Sequence, residues 1–317
     1  MNLSIVIPNY NGENLLRKNL PLVLQAVKEY RKGFVEIIIP DDPSTDQSHQ
    51  VIKEFIESIH DKNIVGKTIE NKDKKQSGFA NNVNRGVTLA KGDIIILLNT
   101  DVIPHKDFLS SLLRRFDDEK VFAVGCVDES VEDEKVILRG RGIGKWERGF
   151  LMHGNGSLDK DTTLWVAGGS GAFRKKIWDK LHGLDQLYNP FYWEDIDLSY
   201  RALKSGYKTY IEKESIVRHE HEKGAIKTRF NKTTIKRIAY RNQFIFVWKN
   251  ITQTSLLLSH FGWLPYHLIK ALLSRDWSLL VGFYFALVKL PLILTSRERA
   301  KKFFIVTDLQ VITQYSL

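Results

Sequence analysis

Ile94-Ile95-Ile96-Leu97-Leu98 is an unbroken apolar run that ends in Asn99-Thr100-Asp101. A short run with apolar residues at every position predicts a strand buried on both faces. Such strands belong to parallel sheets covered by helices, and there ligands bind just beyond the carboxyl ends of the strands. A carboxylate at that point can hold a hard divalent cation, which commonly completes its shell with phosphate oxygens. The stretch therefore predicts a metal-assisted enzyme that handles a diphosphate.

The flanking pattern agrees. Ile5 to Ile7 reads as a short strand stopped by Pro8, Leu15 to Tyr30 has helical spacing, and Val35 to Ile39 is strand-like before the turn residues Pro40-Asp41-Asp42-Pro43-Ser44. A helix runs from Thr45 or Asp46 to about Ile59, a strand covers Ile64 to Ile69, and a helix covers Phe79 to Ala90. Repeated strand–helix order predicts an α/β fold with a mostly parallel, twisted sheet. Further on, Phe108 to Phe116 predicts a helix, Val121 to Val127 a strand, and Arg139 to Asp159 a mobile surface loop. Leu164 to Ala167 reads as a strand leading into Gly168-Gly169-Ser170-Gly171, and Glu194 to Lys204 as a helix stopped by Gly206.

The 317 residues carry a net charge of +10, which favours an acidic partner. The one cysteine, Cys126, excludes an intramolecular disulfide framework and a cysteine-rich zinc site, and it suits a reducing compartment. Met1-Asn2 runs straight into the first strand, so no cleaved leader is expected and the active domain should stay where it was made. From Lys223 to Lys249 there are eight Lys or Arg and no Asp or Glu. Phe230, Tyr240, Phe244 and Trp248 are interleaved with these charges, a pattern shared with nucleic-acid grooves and with basic solvated helices. An apolar tail follows, so anionic lipid head groups are the preferred partner and no nucleic acid is expected. Leu256 to Leu273 is interrupted by His260, Pro265, His267 and Lys270 and suits an interfacial helix. Trp277 to Leu294 sits at the lower length limit for a membrane span. The expectation is peripheral or monotopic attachment to the cytoplasmic face of a membrane, with a single span at Trp277–Leu294 as the minority reading.

Four acidic features sit near predicted strand ends or helix starts: Asp41-Asp42, Asp101, Glu194-Asp195 and Asp197. Singly, each has an ordinary explanation as a turn, a cap or a helix N-terminus. Their order and spacing resemble the family 2 glycosyltransferases, inverting enzymes of the GT-A fold. The matching stretches are Ser4-Ile5-Val6-Ile7-Pro8-Asn9-Tyr10-Asn11-Gly12, Asp41 to Asp46, Gly78-Phe79-Ala80 with Asn84, Leu97 to Asp101, and Tyr192 to Leu198. Arg241-Asn242 and Lys249-Asn250 extend the match, so it covers roughly residues 3–250. On this resemblance, residues 1–222 form the GT-A domain (1–101 the nucleotide half, 102–222 the acceptor half), and residues 223–317 form a helical tail.

The resemblance implies roles. Asp41 would accept from a pyrimidine ring N–H, Pro8 and Tyr10 would line the base pocket, and Asn84, Asn99 and Thr100 would approach the nucleotide, with Arg85 a further candidate. Asp101 matches the second acid of the family's Asp-x-Asp metal motif, whose first position is Asn99 here. Pro40 and Pro43 also depart from the pattern and leave the loop at the base open. His219 is either a further metal ligand or a surface histidine, with His221 a lesser candidate; an imidazole would favour Mn²⁺ over Mg²⁺. Asp195 would be the catalytic base with Glu194 as the alternative. Gly169, Ser170 and Trp193 would meet donor or acceptor sugar.

The function implied is transfer of a sugar from a UDP- or dTDP-linked donor to a hydroxyl of a glycan or lipid-linked acceptor in surface polysaccharide or glycolipid assembly. The competing readings are a sugar-nucleotide pyrophosphorylase and a membrane-docked nucleotide-sugar-binding module with a degenerate site. The oligomeric state stays open.

Overall fold

The computed structural model describes residues 1–132, 135–219 and 229–316. Its first half alternates strictly: β1 (Leu3–Val6), α1 (Glu13–Lys28), β2 (Val35–Asp41), α2 (Ser48–Glu57), β3 (Ile64–Glu70), α3 (Phe79–Thr88) and β4 (Ile94–Leu98). The order β3-β2-β1-β4 is parallel throughout. Every residue of β1, β2 and β4 is buried, which is why these strands read as continuous apolar runs.

The second half widens the sheet with mixed strands. β5 (Val102–Pro104), α4 (Phe108–Leu112), β6 (Val121–Glu132) and β7 (Lys135–Arg139) come first, then β10 (Ser170–Arg174), α5 (Lys175–Lys180) and β11 (Lys208–His219). β10 lies antiparallel between β4 and β6, and β11 runs parallel to β6 and antiparallel to β5. Because β10 is reversed, its first residue Ser170 pairs with Leu98, the last residue of β4. The ends of β1, β2 and β4 and the start of β10 thus open on one edge.

Between them lies β8 (Gly142–Glu147) and β9 (Phe150–Asn155), a separate antiparallel hairpin where a mobile loop was expected. Its turn is Arg148-Gly149, both with positive φ (46° and 81°), the geometry that matches strand twist in a two-residue hairpin. The expected strand at Leu164–Ala167 is an extended segment outside the ladders, and the strand begins at Ser170.

The chain ends in helices: α6 (Glu194–Lys204) belongs to the first body, followed by α7 (Lys232–Asn250), α8 (Thr254–Leu273), α9 (Trp277–Val288), α10 (Leu290–Lys301) and α11 (Asp308–Gln314). They share one core with α6 and the hairpin, through Phe150, Tyr200, Phe244, Phe246, Ile293 and Val311. The segment Trp277–Leu294 is no continuous span. It breaks at Lys289, and α9 and α10 are bent by 67°. Among the described residues no single helix is long and apolar enough to cross a membrane.

Two cations of the basic segment turn inward, contrary to the expectation that they face lipid. Lys249, fully buried on α7, sits 2.8 Å from Asp197 and 2.6 Å from Asp185. Asp197, also fully buried, further accepts from Arg201 (2.8 Å), Asn250 (2.8 Å) and the Tyr188 hydroxyl (2.9 Å). Burial alone would push the Asp197 carboxyl up, but Arg201 and Lys249 outweigh it and hold it below the ordinary range. Two turns earlier on α7, Asn242 donates to the carbonyls of Tyr188, Phe191 and Tyr192 at 3.0, 2.9 and 2.8 Å. Arg241 donates to Asn189 at 2.6 Å. These bonds hold residues 188–193, where Tyr192 and Trp193 both adopt left-handed backbone (φ 71° and 77°), a conformation that costs about 1–3 kcal/mol per residue.

Two predictions follow from this network. Lys249→Met leaves two buried carboxylates short of their cation, so urea unfolding should show a loss of about 3–5 kcal/mol; a loss below about 1 kcal/mol would refute the assignment. Asp185 and Asp197 titrate below the ordinary carboxyl range, so their stabilisation is whole above about pH 4 and is lost as pH falls further. The same variant should therefore unfold at a higher pH on acid titration. Asn242→Leu strands the Phe191 and Tyr192 carbonyls, while the Tyr188 carbonyl keeps Arg241 at 3.2 Å; it should cost about 2–3 kcal/mol, with amide hydrogen exchange accelerated at residues 188–197 and unchanged in β1 and β2.

Candidate active site

The sheet edge described above is the floor of a cleft of about 460 Å³. Pro8, Asn9 and Tyr10 leave β1, Asp42 leaves β2, Asn99 to Asp101 leave β4, and Gly168 to Ser170 enter β10, all lining it. Glu194 and Asp195 reach it from the N-terminus of α6, and His219 from the end of β11. Of the residues expected from sequence, Pro8, Tyr10, Asn99, Thr100, Asp101, Gly169, Ser170, Glu194, Asp195 and His219 all meet there. His221 lies outside the described residues.

Three expected residues do not line the cleft. Asp41 is still inside β2, and its carboxylate accepts from Asn9 Nδ2 and Ser44 Oγ, both at 2.7 Å. Asp42, the first residue past the strand, faces the cleft in its place. It accepts from the Gly78 N–H at 2.8 Å and Asn71 Nδ2 at 2.9 Å, with the Arg85 guanidinium 3.7 Å away. The Gly78 N–H is presented by a backbone at φ +127°, a conformation that favours glycine. Asn84 points off the far side of α3 and exchanges two hydrogen bonds with the Leu184 backbone. Asn82 lines the cleft instead, donating to the carbonyls of Asn9 and Pro40 at 3.0 and 3.1 Å. Trp193 is core: its ring packs on His153 and Phe246 at 4.8 and 5.1 Å, and its neighbour Tyr192 lines the cleft.

Sequence reasoning also missed Asp128, Arg229 and Phe230. Arg229 lies over the Tyr10 ring at 4.4 Å, and Phe230 packs on Phe191 at 5.0 Å, so both close the cleft at its mouth. The Asn82 position was recoverable, because it lies three residues after Phe79 and so shares its helix face. Nothing local in sequence marks Asp128, which meets the cleft through the parallel pairing of β6 with β11.

The two acids of α6 differ. Glu194 is almost fully buried, and its Oε2 has no hydrogen-bond partner. Burial, then the nearby charge of Asp195, raises its carboxyl well above the ordinary value. Asp195 is also raised by burial, but it accepts from the Gly168 N–H at 3.2 Å and the Ile196 N–H at 2.8 Å. Of the pair, Glu194 is raised the more, because two N–H donors favour the charged form of Asp195 and the Glu194 Oε2 has none. Across the cleft, His219 Nε2 lies 3.3 Å from Asp101, and its Nδ1 lies 2.8 Å from Asp128. Burial disfavours the imidazolium, but the bonds to Asp101 and Asp128 outweigh it and raise His219 to about 9. A carboxylate holding one ring nitrogen while the other faces a second carboxylate is also the arrangement in which histidine ligates metal. Among the described residues no group of three or more His, Cys, Asp or Glu is arranged to hold an ion by itself.

Gly169 lets the floor come close: a Cβ there would stand 2.7 Å from Asn99 Nδ2. The site thus combines Asp42 with its two N–H donors, the Asp101–His219 pair and Asp195 held by two backbone N–H groups in one cleft.

Comparison with known proteins gives this geometry a family. The O-antigen chain rhamnosyltransferase RfbN of Salmonella typhimurium is 24% identical over 228 residues, 70% of this chain and 67% of RfbN. Across the first curated relatives the chain spans 40% to 67% of their lengths. The fold is shared with GalNAc-T7 solved with UDP, GalNAc and Mn²⁺ (TM-score 0.63, 17% identity, 78% of this chain and 48% of that one). It is shared also with S. aureus TarS 1-349 in complex with UDP-GlcNAc (TM-score 0.60, 14% identity, 99% of this chain and 91% of that one). The model of glycosyl transferase family 2 matches residues 4–181, more than half of the chain, and the protein belongs to that family.

Proposed function

We propose that the protein transfers a sugar, with inversion, from a UDP- or dTDP-linked donor to a hydroxyl of a glycan or lipid-linked acceptor. The observation that carries this reading is the meeting of Asp42, Asp101 and Asp195 in one cleft. The rhamnosyltransferase relative and the UDP complexes of the structural neighbours support it.

Asp42 takes the role first expected of Asp41, accepting from the ring N–H of a pyrimidine base. Two fixed donors already hold its oxygens, so the acceptor is oriented before the base arrives. Pro8 and Tyr10 line the base, and the Arg229 guanidinium over Tyr10 brings positive charge towards the diphosphate. Asp195 takes the proton of the acceptor hydroxyl as its oxygen forms a bond to the anomeric carbon. The bond from that carbon to the phosphate oxygen breaks, and the electron pair leaves with the nucleoside diphosphate. The Gly168–Ser170 floor admits the donor sugar.

Asp101 and His219 fit a divalent cation. Their donor atoms converge, and Asp128 orients the ring so that Nε2 is presented. Two protein ligands suit an ion that shares its shell with phosphate, and the imidazole favours Mn²⁺. When bound, the ion supplies positive charge to the departing diphosphate.

Several outcomes test this reading. Thermal shift with Mn²⁺ should show stabilisation by UDP or dTDP and little by GDP; no shift with any nucleotide would sink it. Asp42→Asn should weaken UDP binding about tenfold or more, and Asp41→Asn should act mainly on stability. Asp195→Asn should keep donor binding and lose turnover by about a thousandfold, whereas Glu194→Gln should stay within about tenfold. Because the Asp195 carboxyl is raised, kcat/KM should fall on acidification at a pH above the ordinary aspartate value. His219→Gln should weaken Mn²⁺ binding, read directly by electron paramagnetic resonance.

A further inference from the structure

More than half of the exposed large apolar side chains among the described residues sit on three consecutive helices, α8, α9 and α10. α8 carries two apolar stripes. Leu256, His260, Leu264, His267 and Ala271 recur at three- or four-residue steps and form the inner stripe. That stripe is used by the fold: His260 Nδ1 donates to the Gly149 carbonyl at 2.7 Å, its Nε2 accepts from Trp248 at 3.0 Å, and His267 bonds the Arg148 carbonyl at 2.8 Å.

The outer stripe is Leu258, Phe261, Pro265, Ile269 and Leu272, at the same spacing, and every member is exposed. Leu258 is 68% and the adjoining Leu273 80% exposed. α9 repeats the pattern. Its small-residue side, with Ser278, Gly282 and Ala286, packs on α7, where a Cβ at Gly282 would stand 2.8 Å from Tyr240 Cβ. Its other side presents Trp277, Tyr284 and Val288 to solvent. A helix that is apolar all round is ordinarily covered all round; here one side of each helix is covered by this chain and the other is bare.

The surroundings say what covers it. Residues 229–316 contain thirteen Lys or Arg and three Asp or Glu. Lys270 on α8 and Arg275 on the turn to α9 are exposed beside the patch, and the Arg148 guanidinium lies 5.9 Å from the Trp263 ring. Asp276 is occupied by Lys236 and Tyr240 at 2.9 and 3.0 Å. Trp263, Tyr266, Trp277 and Tyr284 add exposed amphipathic rings of the kind enriched at membrane boundaries. An apolar face with a cationic rim and aromatic belts matches an anionic lipid surface and would repel a second copy of itself. α9 alone is too short to cross, since its twelve residues reach roughly 18 Å against a hydrocarbon core of roughly 30 Å; among the described residues only α9 and α10 together, bent by 67°, have the length and composition of a span.

We propose that the outer face of α8 and α9 docks on an anionic lipid bilayer, with both helices lying in the headgroup–acyl boundary. This holds whether or not the chain transfers sugar, and it extends the interfacial reading of α8 to α9. The wedge is joined to the catalytic body through the β8–β9 hairpin.

The test uses the full chain with vesicles of phosphatidylcholine alone and of phosphatidylcholine mixed with phosphatidylglycerol. Truncating the tail would confound it, because Asp308 of α11 accepts from Lys204 and Tyr200 in the body. The intact chain should co-sediment with the anionic vesicles about tenfold more than with the neutral ones, with a blue shift of tryptophan fluorescence. The triple variant Ile269→Glu, Leu273→Glu, Tyr284→Glu alters only exposed side chains and should keep its circular dichroism and Tm. It should lose vesicle binding about tenfold or more. Lys270→Glu with Arg275→Glu should abolish the preference for anionic lipid. Equal partition of intact chain and triple variant overturns the proposal. So does an intact chain that ignores both vesicles and sediments as a dimer that the triple variant dissolves.

Discussion

Asp197 is a fully buried carboxylate at the junction of the sheet domain and the helical tail, and the arrangement of the site depends on its partners. Isolated, such a charge would cost more than a domain's net stability. Arg201 from its own helix, Lys249 and Asn250 from α7 and Tyr188 from the preceding turn together compensate it. Each of these contacts also fixes a distance between α6, α7 and the 188–193 turn. The tail is thus part of the catalytic body, because the cations that solvate Asp197 are supplied by it.

That junction explains how a strained turn persists. Tyr192 and Trp193 hold left-handed backbone without glycine. Asn242 absorbs their neighbours' carbonyls, and the Trp193 ring is locked between His153 and Phe246. The result is a helix start that aims two adjacent acids into the cleft with different hydrogen-bond partners. Glu194 is left with an unpartnered oxygen, whereas Asp195 is held by two N–H groups. The difference is one of solvation, since the two side chains are neighbours on one turn.

The same division runs through the cleft. The parallel strands bring their carboxyl ends to one edge by topology alone, and the reversed β10 adds its glycines there. What distinguishes neighbouring residues is periodicity at element ends. Asp41 and Asp42 point opposite ways because β2 ends between them. Asn82 and Asn84 are two residues apart on a helix, about 200° around its axis, so only one faces the nucleotide edge.

The alternation of strands and helices, the buried character of β4 and the order of the acidic motifs were legible in the sequence, because burial on both faces and helical spacing leave local patterns. Ten of the cleft residues were named through the family resemblance of those motifs, and they sit at strand ends or the start of α6. The tertiary structure alone decided that Lys249 and Arg241 serve the interior, since charge density in sequence carries no direction. It decided that residues 139–159 are a hairpin, whose Arg148-Gly149 turn lacks the usual Asn or Asp, and that Trp277–Leu294 bends at Lys289. It also decided which of two adjacent aspartates reaches the cleft and which of two adjacent acids is held by backbone N–H groups. Those outcomes depend on partners far apart in the chain, and no window of sequence contains both members of such a pair.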